Sequence, residues 1–397
     1  MTAETRNGYP PMNLQTRAIG AAPSAAHLCD PIPIRRIEAI RVAVPLAKPM
    51  LMAGVRLETA DNVLVRIESA DGTVGWGEAS AAPTMTGDLA EGIVAAVDYL
   101  APLLAGQDAR MHALLARRCL AAMHHNGAAK SAIDMALIDL VGRHLGVPIV
   151  ELLGGPQCES AMPMWLLGNP SVADDIAEGR ARRAQGFGFF KLKVGIKPVA
   201  EEIEAATALR RELGGDVLLC ADANMGMGLS RAQAFVRRAG DLDLVYLEQP
   251  VGAEDIAGMR ALAATGAVPI CADEGIAGAA DVLAHERAGA IGGINLKLMK
   301  VGGPRAAMRV AALCEALGLS IAGACKIAES SISAANTLAV ARAAGNVDWG
   351  LSLSHVYLAE DLVRNPIRLA AGAFVPPTGP GSGLDVDEAL VARYRVR

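Results

Sequence analysis

Five short apolar runs in the second half of the chain each end in an ionisable residue. The intervals between these closing residues are 29, 26, 25 and 24 positions, and the residues are Lys193, Asp222, Glu248, Asp273 and Lys297. Short apolar runs that alternate with amphipathic helices are typical of parallel βαβ units. The pattern therefore predicts a parallel sheet that carries these charged side chains to the same end of a domain.

Eight strand candidates follow residue 155, which is enough to close a barrel. They are Met162–Leu166, Phe189–Val194, Val217–Ala221, Leu244–Glu248, Ile270–Ala272, Gly293–Leu296, Ser320–Gly323 and Trp349–Ser354. Eight βα units in roughly 200 residues fit a (β/α)8 barrel near its lower size. An open doubly wound sheet is the alternative, and the GxGxxG turn that would support it is absent from the first unit. We predict an α/β fold with a modified (β/α)8 barrel of TIM type, in which one unit is degenerate.

The chain before Gly155 has a different pattern, with three predicted strands followed by three predicted helices. This order indicates an α+β domain. Because single cores rarely extend beyond about 250–300 residues, a chain of 397 residues is expected to form two structural units. The predicted divisions are a poorly ordered tail at 1–33, an α+β domain at 34–155, the barrel at 156–369 and a C-terminal segment at 370–397 that packs back on the first domain.

Composition argues against several classes of function. The net charge is −5 and the basic residues are scattered, which argues against nucleic-acid binding. No run approaches the roughly 18 apolar residues of a membrane helix, and residues 1–33 lack an apolar signal core. The seven cysteines have no CxxC spacing and are expected to be buried, reduced thiols. We therefore expect a cytoplasmic protein that binds neither nucleic acid nor membranes.

Three of the strand ends carry carboxylates: Asp222, Glu248 and Asp273. Each acid alone is equally well explained as a solvated loop residue or a helix N-cap. Three like charges that converge at a barrel mouth repel each other unless a cation joins them. An all-oxygen ligand set favours Mg²⁺ or Mn²⁺, because zinc and copper sites usually include His or Cys. The three acids together therefore predict a divalent-metal site.

Lysines lie on both sides of these acids. Lys191 and Lys193 are two residues apart on one strand, so both side chains point into the barrel. Two neighbouring ammonium groups disfavour each other's charge, and a lowered pKa would suit a lysine that acts as a base. Lys297 belongs to a strand across the mouth, so the lysines would flank a substrate from opposite faces. A salt-bridged or snorkelling strand end is the structural alternative for the first pair.

This set of strand ends resembles the enolase superfamily, in the subgroup that contains muconate lactonizing enzymes. The resemblance extends from about Ile34 to the C-terminus and includes KSAIDMALIDLVGRHLGVPIVELLGG, NLKLMKVGGP and ESSI, at 130–155, 295–304 and 329–332. It implies a capping domain formed by the N-terminal and C-terminal segments. It also implies a metal site at Asp222, Glu248 and Asp273, and catalytic Lys193 and Lys297 supported by Lys191. We further expect a small carboxylate substrate and a homo-oligomer.

The reaction that this resemblance implies is divalent-metal-dependent removal of the proton alpha to a carboxylate. The enediolate would then lead to cycloisomerisation or to racemisation or epimerisation. A dehydratase of a small hydroxy or amino acid on the same fold is one alternative, and a catalytically silent binding barrel is another. Members similar to mandelate racemase use a His–Asp dyad where this chain has Lys297.

Substrate choice in such proteins is set by a capping loop, predicted here at Pro49–Arg56, and by the last barrel loops. Dipeptide epimerases that resemble this chain carry Asp-x-Asp near the eighth strand, whereas this sequence has Ser352-Leu353-Ser354. Dipeptide epimerisation is therefore disfavoured. The stretch Ala324–Glu329 is one residue longer than usual, and its lysine either binds a second carboxylate or is solvated. Three residues are predicted to support the site or bind substrate: Asn224, Lys326 and Glu329.

Overall fold

A computed structural model of the protein describes residues 30–52 and 55–396, without the side chains of residues 51, 52 and 55. The chain from Pro31 to Arg397 forms one compact unit. The predicted tail lies outside the described residues up to position 29, and the first strand begins at Ile34. The predicted domain boundaries at 33, 155 and 369 stay predictions.

Strands and helices alternate after an initial antiparallel sheet. The strands are β1 (Ile34–Met52), β2 (Val55–Ser69), β3 (Val74–Ser80), β4 (Met164–Leu167), β5 (Phe189–Lys193), β6 (Leu218–Asp222), β7 (Leu244–Glu248), β8 (Ile270–Ala272), β9 (Gly293–Leu296), β10 (Ser320–Ala324), β11 (Leu351–Ser352), β12 (Arg368–Ala370) and β13 (Ala373–Val375). The helices are α1 (Ala90–Leu100), α2 (His112–Ala122), α3 (Gly127–Leu145), α4 (Ile149–Leu152), α5 (Val172–Ala184), α6 (Val199–Leu213), α7 (Leu229–Ala239), α8 (Ile256–Ala263), α9 (Ala279–Arg287), α10 (Leu298–Val301), α11 (Pro304–Leu317), α12 (Ser331–Ala344) and α13 (Glu388–Tyr394). None of the helices in the described part of the chain has the length and apolar character needed to cross a membrane.

Strands β4 to β11 form a parallel sheet in sequence order, and its two outer strands meet. The amide of Leu351 donates to the carbonyl of Met162 at 2.7 Å, which closes the sheet into a barrel. All eight predicted barrel strands are present. The last strand is only Leu351–Ser352, and a 3₁₀ turn at Ser354–Tyr357 follows it in place of a helix. The predicted modified (β/α)8 barrel of TIM type is confirmed.

The first three strands form an antiparallel sheet whose two faces are both buried. Val63 and Val65 belong to a core shared with α1–α3, whereas Leu64 between them belongs to the core of the barrel. This alternation along β2 is what a strand buried on both faces requires. The sheet and α1–α3 together form the capping domain, and its strands hold the helices to the barrel.

The predicted loop at Pro49–Arg56 is wrong in its form. β1 continues to Met52 and pairs with β2, with Met50 opposite Leu57 and Leu51 opposite Arg56. The segment is therefore the end of a long β-hairpin, of which residues 53 and 54 lie outside the described part. Pro45 and Pro49 both lie within β1, and prolines inside a strand pattern usually indicate that the strand ends.

The C-terminal segment returns to the capping domain. The amide of Ile149 donates to the carbonyl of Gly381 at 2.8 Å, and the amide of Val396 donates to the carbonyl of Arg41 at 2.9 Å. An ion pair between Arg395 and Glu38 supports the second contact. The capping domain thus contains chain from both sides of the barrel sequence.

Cysteines in the described part of the chain are free thiols, as the sequence predicts. All of them are buried except Cys158, which is half-buried. Cys29 lies outside the described residues.

Two glycines on β3 allow the capping sheet to lie directly on α3. A Cβ atom added to Gly75 would overlap the carbonyl oxygen of Ala136, and one added to Gly77 would overlap that of Ala132. The alanines lie four residues apart on α3, so small side chains face each other on both elements. Any larger side chain on this face of β3 must separate the strand from the helix.

We therefore predict that Gly77→Ala lowers the stability of the protein by about 1–3 kcal/mol or more, as overpacking of a tight contact does. The matched control is Gly92→Ala in α1, where an added Cβ meets nothing within 4 Å. That change should leave stability unchanged or raise it slightly, because alanine favours a helix over glycine. Thermal unfolding of both variants checks this, and equal melting temperatures would contradict the packing argument.

Candidate active site

The predicted strand-end residues come together at the C-terminal mouth of the barrel. Lys193 of β5 is in register with Asp222 of β6, and Asp222 is in register with Glu248 of β7. Asp273 and Lys297 directly follow β8 and β9. Because neighbouring parallel strands end at the same level, one row of charged side chains crosses the mouth. This is the end of such a barrel where active sites are found.

Each of the three acids is paired with a lysine. Lys193 Nζ lies 2.6 Å from Asp222 Oδ2, and Lys191 Nζ lies 2.5 Å from Glu248 Oε2. Lys297 Nζ contacts Asp273 Oδ2. Such pairs hold the charges in place because a buried charge without a partner is costly. The row is thus a network of alternating charges.

These pairs set the protonation of the buried groups. Burial works against the charge of Lys191, but Glu248 outweighs it and raises the lysine pKa. In the same way Asp273 raises the pKa of Lys297, while the pKa of Asp273 itself stays well below its usual range. Burial and the nearby Asp222 raise the pKa of Glu248. The expected fall in pKa is therefore not found at Lys191, since its partner acid outweighs the effect of burial.

The donor set fits a hard divalent cation, although no three acid, His or Cys side chains in the described residues already surround one point. Asp222, Glu248 and Asp273 supply carboxylate oxygens, which Mg²⁺ and Ca²⁺ prefer, from three neighbouring strand ends. Two further buried oxygens, Asn295 Oδ1 and Glu274 Oε2, have no hydrogen-bond partner within the described chain. Unpaired buried acceptors of this kind call for a donor or a cation.

A cavity of about 110 Å³ lies over the charged row. The polar residues that line it are Lys191, Lys193, Asp222, Asn224, Glu248, Glu274, Asn295, Lys297 and Lys326. The apolar residues that line it include Leu57, Ala81, Ala82, Pro83, Met85, Leu166 and Ile327. Sites for drug-sized ligands measure about 300–1,000 Å³, so this cavity suits a small molecule. Asp273 does not line it and lies behind the wall, between Lys297 and Lys300.

The capping domain reaches this cavity mainly through a segment that sequence reasoning missed. Residues Ala81–Met85, which follow β3, line the cavity, and Met85 Sδ lies 3.6 Å from Lys297 Nζ. From the hairpin, Leu57 is the lining residue whose side chain is described. Met50 and other hairpin residues line a separate cavity of about 330 Å³. The sequence signal that could have predicted this segment was its position, because it is the turn that directly follows β3.

Two amide side chains and one further acid complete the polar lining of the cavity. Asn224 Oδ1 accepts from Lys193, and Asn224 Nδ2 donates to Glu274 Oε1 at 3.2 Å. Asn295 Nδ2 donates to Glu248 Oε1 at 2.6 Å. Asn224 was predicted, whereas Asn295 and Glu274 were missed. Asn295 could have been found, because it stands two residues before Lys297 and so points to the same face of its strand.

Lys326 also lines the cavity. Its Nζ donates to the carbonyl of Ile327 at 2.5 Å, and within the described chain it forms no ion pair. Burial lowers the pKa of Lys326 to about 8, with a contribution from Lys297 against an opposing one from Glu329. The loop between β10 and α12 therefore presents a cation to the cavity whose charge is not balanced by an acid partner.

Glu329 is placed differently from the other predicted residues, because it does not line the cavity. It is buried and accepts from the hydroxyl of Ser333 at 2.8 Å and from the amide of Lys326 at 3.1 Å. Burial and the nearby Glu78 raise the pKa of Glu329 to about 8. Its contacts hold the loop that carries Lys326, so it acts on the cavity only through that loop.

The eighth barrel unit contributes one hydroxyl to the cavity. Ser352 lines it, whereas the Ser354 hydroxyl donates to the carbonyl of Lys326 at 2.6 Å. His355 is buried, and its Nε2 lies 3.0 Å from the carbonyl of Ile367. Its burial and this contact give it a packing role, and it does not line the cavity.

A closed (β/α)8 barrel with three acids and opposed lysines at its mouth, covered by an α+β domain, defines a class of barrel enzymes that act on small molecules. Residues 36–154 match the mandelate racemase / muconate lactonizing enzyme N-terminal domain. Residues 174–390 match the enolase C-terminal domain-like family. The chain therefore belongs to the mandelate racemase/muconate lactonizing enzyme family of the enolase superfamily, whose members depend on a divalent metal ion.

Relatives of known activity match nearly the whole chain. Muconate cycloisomerase 1 of Pseudomonas putida is 35% identical over 382 residues, covering 92% of this chain and 99% of that protein. L-Ala-D/L-Glu epimerase of Bacillus subtilis is 32% identical over 359 residues, covering 88% of this chain and 96% of that protein. The crystal structure of muconate lactonizing enzyme from Pseudomonas fluorescens, complexed with muconolactone, superposes with a TM-score of 0.88 at 31% identity, over 92% of this chain and 100% of that one. The protein is an isomerase of this family.

Proposed function

We propose that the enzyme removes the proton alpha to the carboxylate of a small substrate and forms an enediolate, which then gives a cycloisomerised, racemised or epimerised product. The observation that carries this proposal is the pair of lysines on opposite walls of one small cavity. Lys193 belongs to β5 and Lys297 follows β9. These two strands are four positions apart in an eight-stranded barrel, so they lie on opposite sides of its mouth. A substrate between them has a lysine on each face of its alpha carbon.

Asp222, Glu248 and Asp273 are proposed to hold the divalent ion, Mg²⁺ or Mn²⁺. Their adjacent strand ends and all-oxygen chemistry support this assignment. When bound, the ion supplies positive charge that stabilises the negative charge developing on the substrate carboxylate. The three acids currently neutralise lysines, so binding an ion requires that their oxygens change partners.

The metal assignment predicts that Asp222→Ala weakens Mn²⁺ binding by about 10–100-fold or more, because even residues that only orient metal ligands have effects of that size. Titration calorimetry with Mn²⁺ measures the change in Kd. Glu254→Ala is the control, since Glu254 is an exposed acid at the same end of the barrel. Bound Mn²⁺ should also raise the melting temperature of the wild type. An Asp222→Ala variant that binds Mn²⁺ as tightly as the wild type would refute the assignment.

Lys193 and Lys297 are proposed as the groups that remove and return the proton. Lys193 is half-buried with its Nζ between Asp222 and Asn224, and Lys297 is buried against Asp273. A lysine whose partner acid is engaged elsewhere loses the countercharge that favours its protonated form, and the neutral amine can then act as a base. Lys191, which is paired with Glu248, is proposed to tune Lys193 electrostatically.

Replacing either lysine should test this directly. Lys193→Ala and Lys297→Ala are each expected to lower kcat by about 10²–10⁴-fold, the usual contribution of a positioned base, while Mn²⁺ still binds. Lys197→Ala serves as control because Lys197 is an exposed lysine of the neighbouring loop. A screen of small carboxylates in D₂O, read by proton exchange, supplies the substrate.

Deuterium incorporation also assigns each lysine to a face. In a racemase, each single variant should retain exchange for one enantiomer only, whereas a cycloisomerase would use one lysine and keep the other for electrostatic support. Near wild-type turnover in both variants would show that these lysines have no catalytic role. A wild type that shows no exchange with any carboxylate in the screen would contradict the proposed loss of an alpha proton.

Lys326 could take one of two roles, and each role implies a different reaction. As an unpaired cation in the cavity, it is proposed to bind a second carboxylate of the substrate. A lysine whose pKa is lowered to about 8 is also suited to protonate a departing hydroxyl group, which is the chemistry of a dehydratase. The dehydratase is therefore the second candidate function.

Lys326→Ala separates these alternatives. If Lys326 binds a remote carboxylate, KM should rise by about 10–100-fold, the value of one charged hydrogen bond, while kcat changes little. If it protonates a leaving group, kcat should fall instead and the product of the wild type should have lost water. Steady-state kinetics and mass spectrometry of the product give both answers, and an unchanged KM and kcat would leave Lys326 without either role.

Other expectations remain proposals. The substrate is proposed to be a small carboxylate other than a dipeptide, because the residues in place of Asp-x-Asp are Ser352 and Ser354. One of these hydroxyls is already bonded to the Lys326 carbonyl. We also propose a cytoplasmic homo-oligomer that binds neither nucleic acid nor membranes, in line with the scattered charges of the sequence.

A further inference from the structure

Lys300 is a buried lysine in the short helix that follows Lys297, and sequence reasoning gave it no role. Its Nζ lies 2.6 Å from Asp273 Oδ1 and 3.0 Å from the carbonyl of Asn295, and it also contacts the carbonyl of Asp273. An ammonium group has three donors, and all three are used. The side chain ties the end of β8 to β9.

The two oxygens of Asp273 therefore have different partners. Oδ1 is bonded to Lys300 and Oδ2 is bonded to Lys297. The Asp273 amide donates to Gln249 Oε1 at 2.9 Å, which fixes the backbone as well. Lys297 lines the cavity and Lys300 does not. A group that enters through the cavity can therefore replace the partner of Oδ2 but not the partner of Oδ1.

The capping domain holds the helix that carries Lys300. A Cβ atom added to Gly127, the first residue of α3, would lie 2.6 Å from the carbonyl oxygen of Met299 and 2.7 Å from that of Lys300. The backbones of α3 and α10 are thus in direct contact. Lys300 has little freedom to follow Asp273 if that carboxylate rotates.

From this geometry we infer that Lys300 is a positioning residue, which holds Asp273 Oδ1 so that Asp273 presents Oδ2 alone to the divalent ion and to Lys297. The inference rests on the proposed metal site. A carboxylate without Lys300 would rotate toward other donors, because a buried charge needs its partners. Lys300 would then affect metal affinity without touching either metal or substrate.

The test is Mn²⁺ affinity, measured by electron paramagnetic resonance of free Mn²⁺ with the full-length protein. Lys300→Met keeps the length of the side chain and removes its charge, and we expect a Kd about 10–100-fold higher, as for other residues that orient metal ligands. The matched control is Lys130→Met. Lys130 has the same 6% exposure, but its Nζ donates to the carbonyls of Met123 and His125 and, among the described residues, to no acid.

A double variant distinguishes positioning from general packing. In an Asp273→Ala background, adding Lys300→Met should cause no further loss of Mn²⁺ affinity, because the group that Lys300 holds is already gone. Thermal unfolding without metal verifies that each variant is folded. If Lys300→Met does not fold, Lys300→Gln, which retains one donor, replaces it in the same cycle.

The outcomes separate this inference from the metal site itself. A wild type that binds no Mn²⁺ would refute the proposed site and this inference with it. A wild type that binds Mn²⁺ while Lys300→Met binds it equally well overturns the inference alone. Equal losses in Lys300→Met and Lys130→Met would also overturn it, because they would show a general effect of removing buried lysines.

Discussion

The site depends on burying three carboxylates at neighbouring strand ends beside a similar number of ammonium groups. Asp273 and Glu248 are fully buried, and each has a lysine in contact. Removing such charges from water costs several kcal/mol per ion, so the network is stable only when every member has its partner. The closed barrel fixes the spacing of the strands, and the capping domain covers part of the cavity with Leu57 and Ala81–Met85. The charged row therefore requires both parts of the fold.

A single buried acid connects the capping domain to the loop that carries Lys326. Glu78 at the end of β3 accepts from the amides of Ser330 and Ser333, at 3.0 and 3.1 Å, where α12 begins. An acid at a helix N-terminus is favoured by the helix dipole. The same strand leads directly into Ala81–Met85. These two segments, which both line the cavity, are thus anchored at one point.

The sequence alone predicted the barrel and its strand-end residues, because both follow from a residue pattern that repeats once in every βα unit. Lys193, Asp222 and Glu248 are each one βα unit apart in the sequence, and in the structure they lie in register on three adjacent strands. What it missed depends on contacts across the fold. The role inferred for Lys300 depends on its contact with Asp273. Met85 is 212 residues away in sequence from Lys297, which it contacts. Lys191 likewise acquired a raised pKa from an acid on another strand.

The charged row also explains how one arrangement can support several reactions. The acids that now neutralise lysines are the ones proposed to hold the ion, so the first step, loss of the alpha proton, depends on the same few residues whatever follows. In this proposal, other groups that line the cavity decide what happens to the enediolate, namely the apolar Ala81–Met85 segment and Lys326. These lie on loops rather than strands and can change without disturbing the charge network. Substrate and outcome can therefore diverge while the strand ends stay the same.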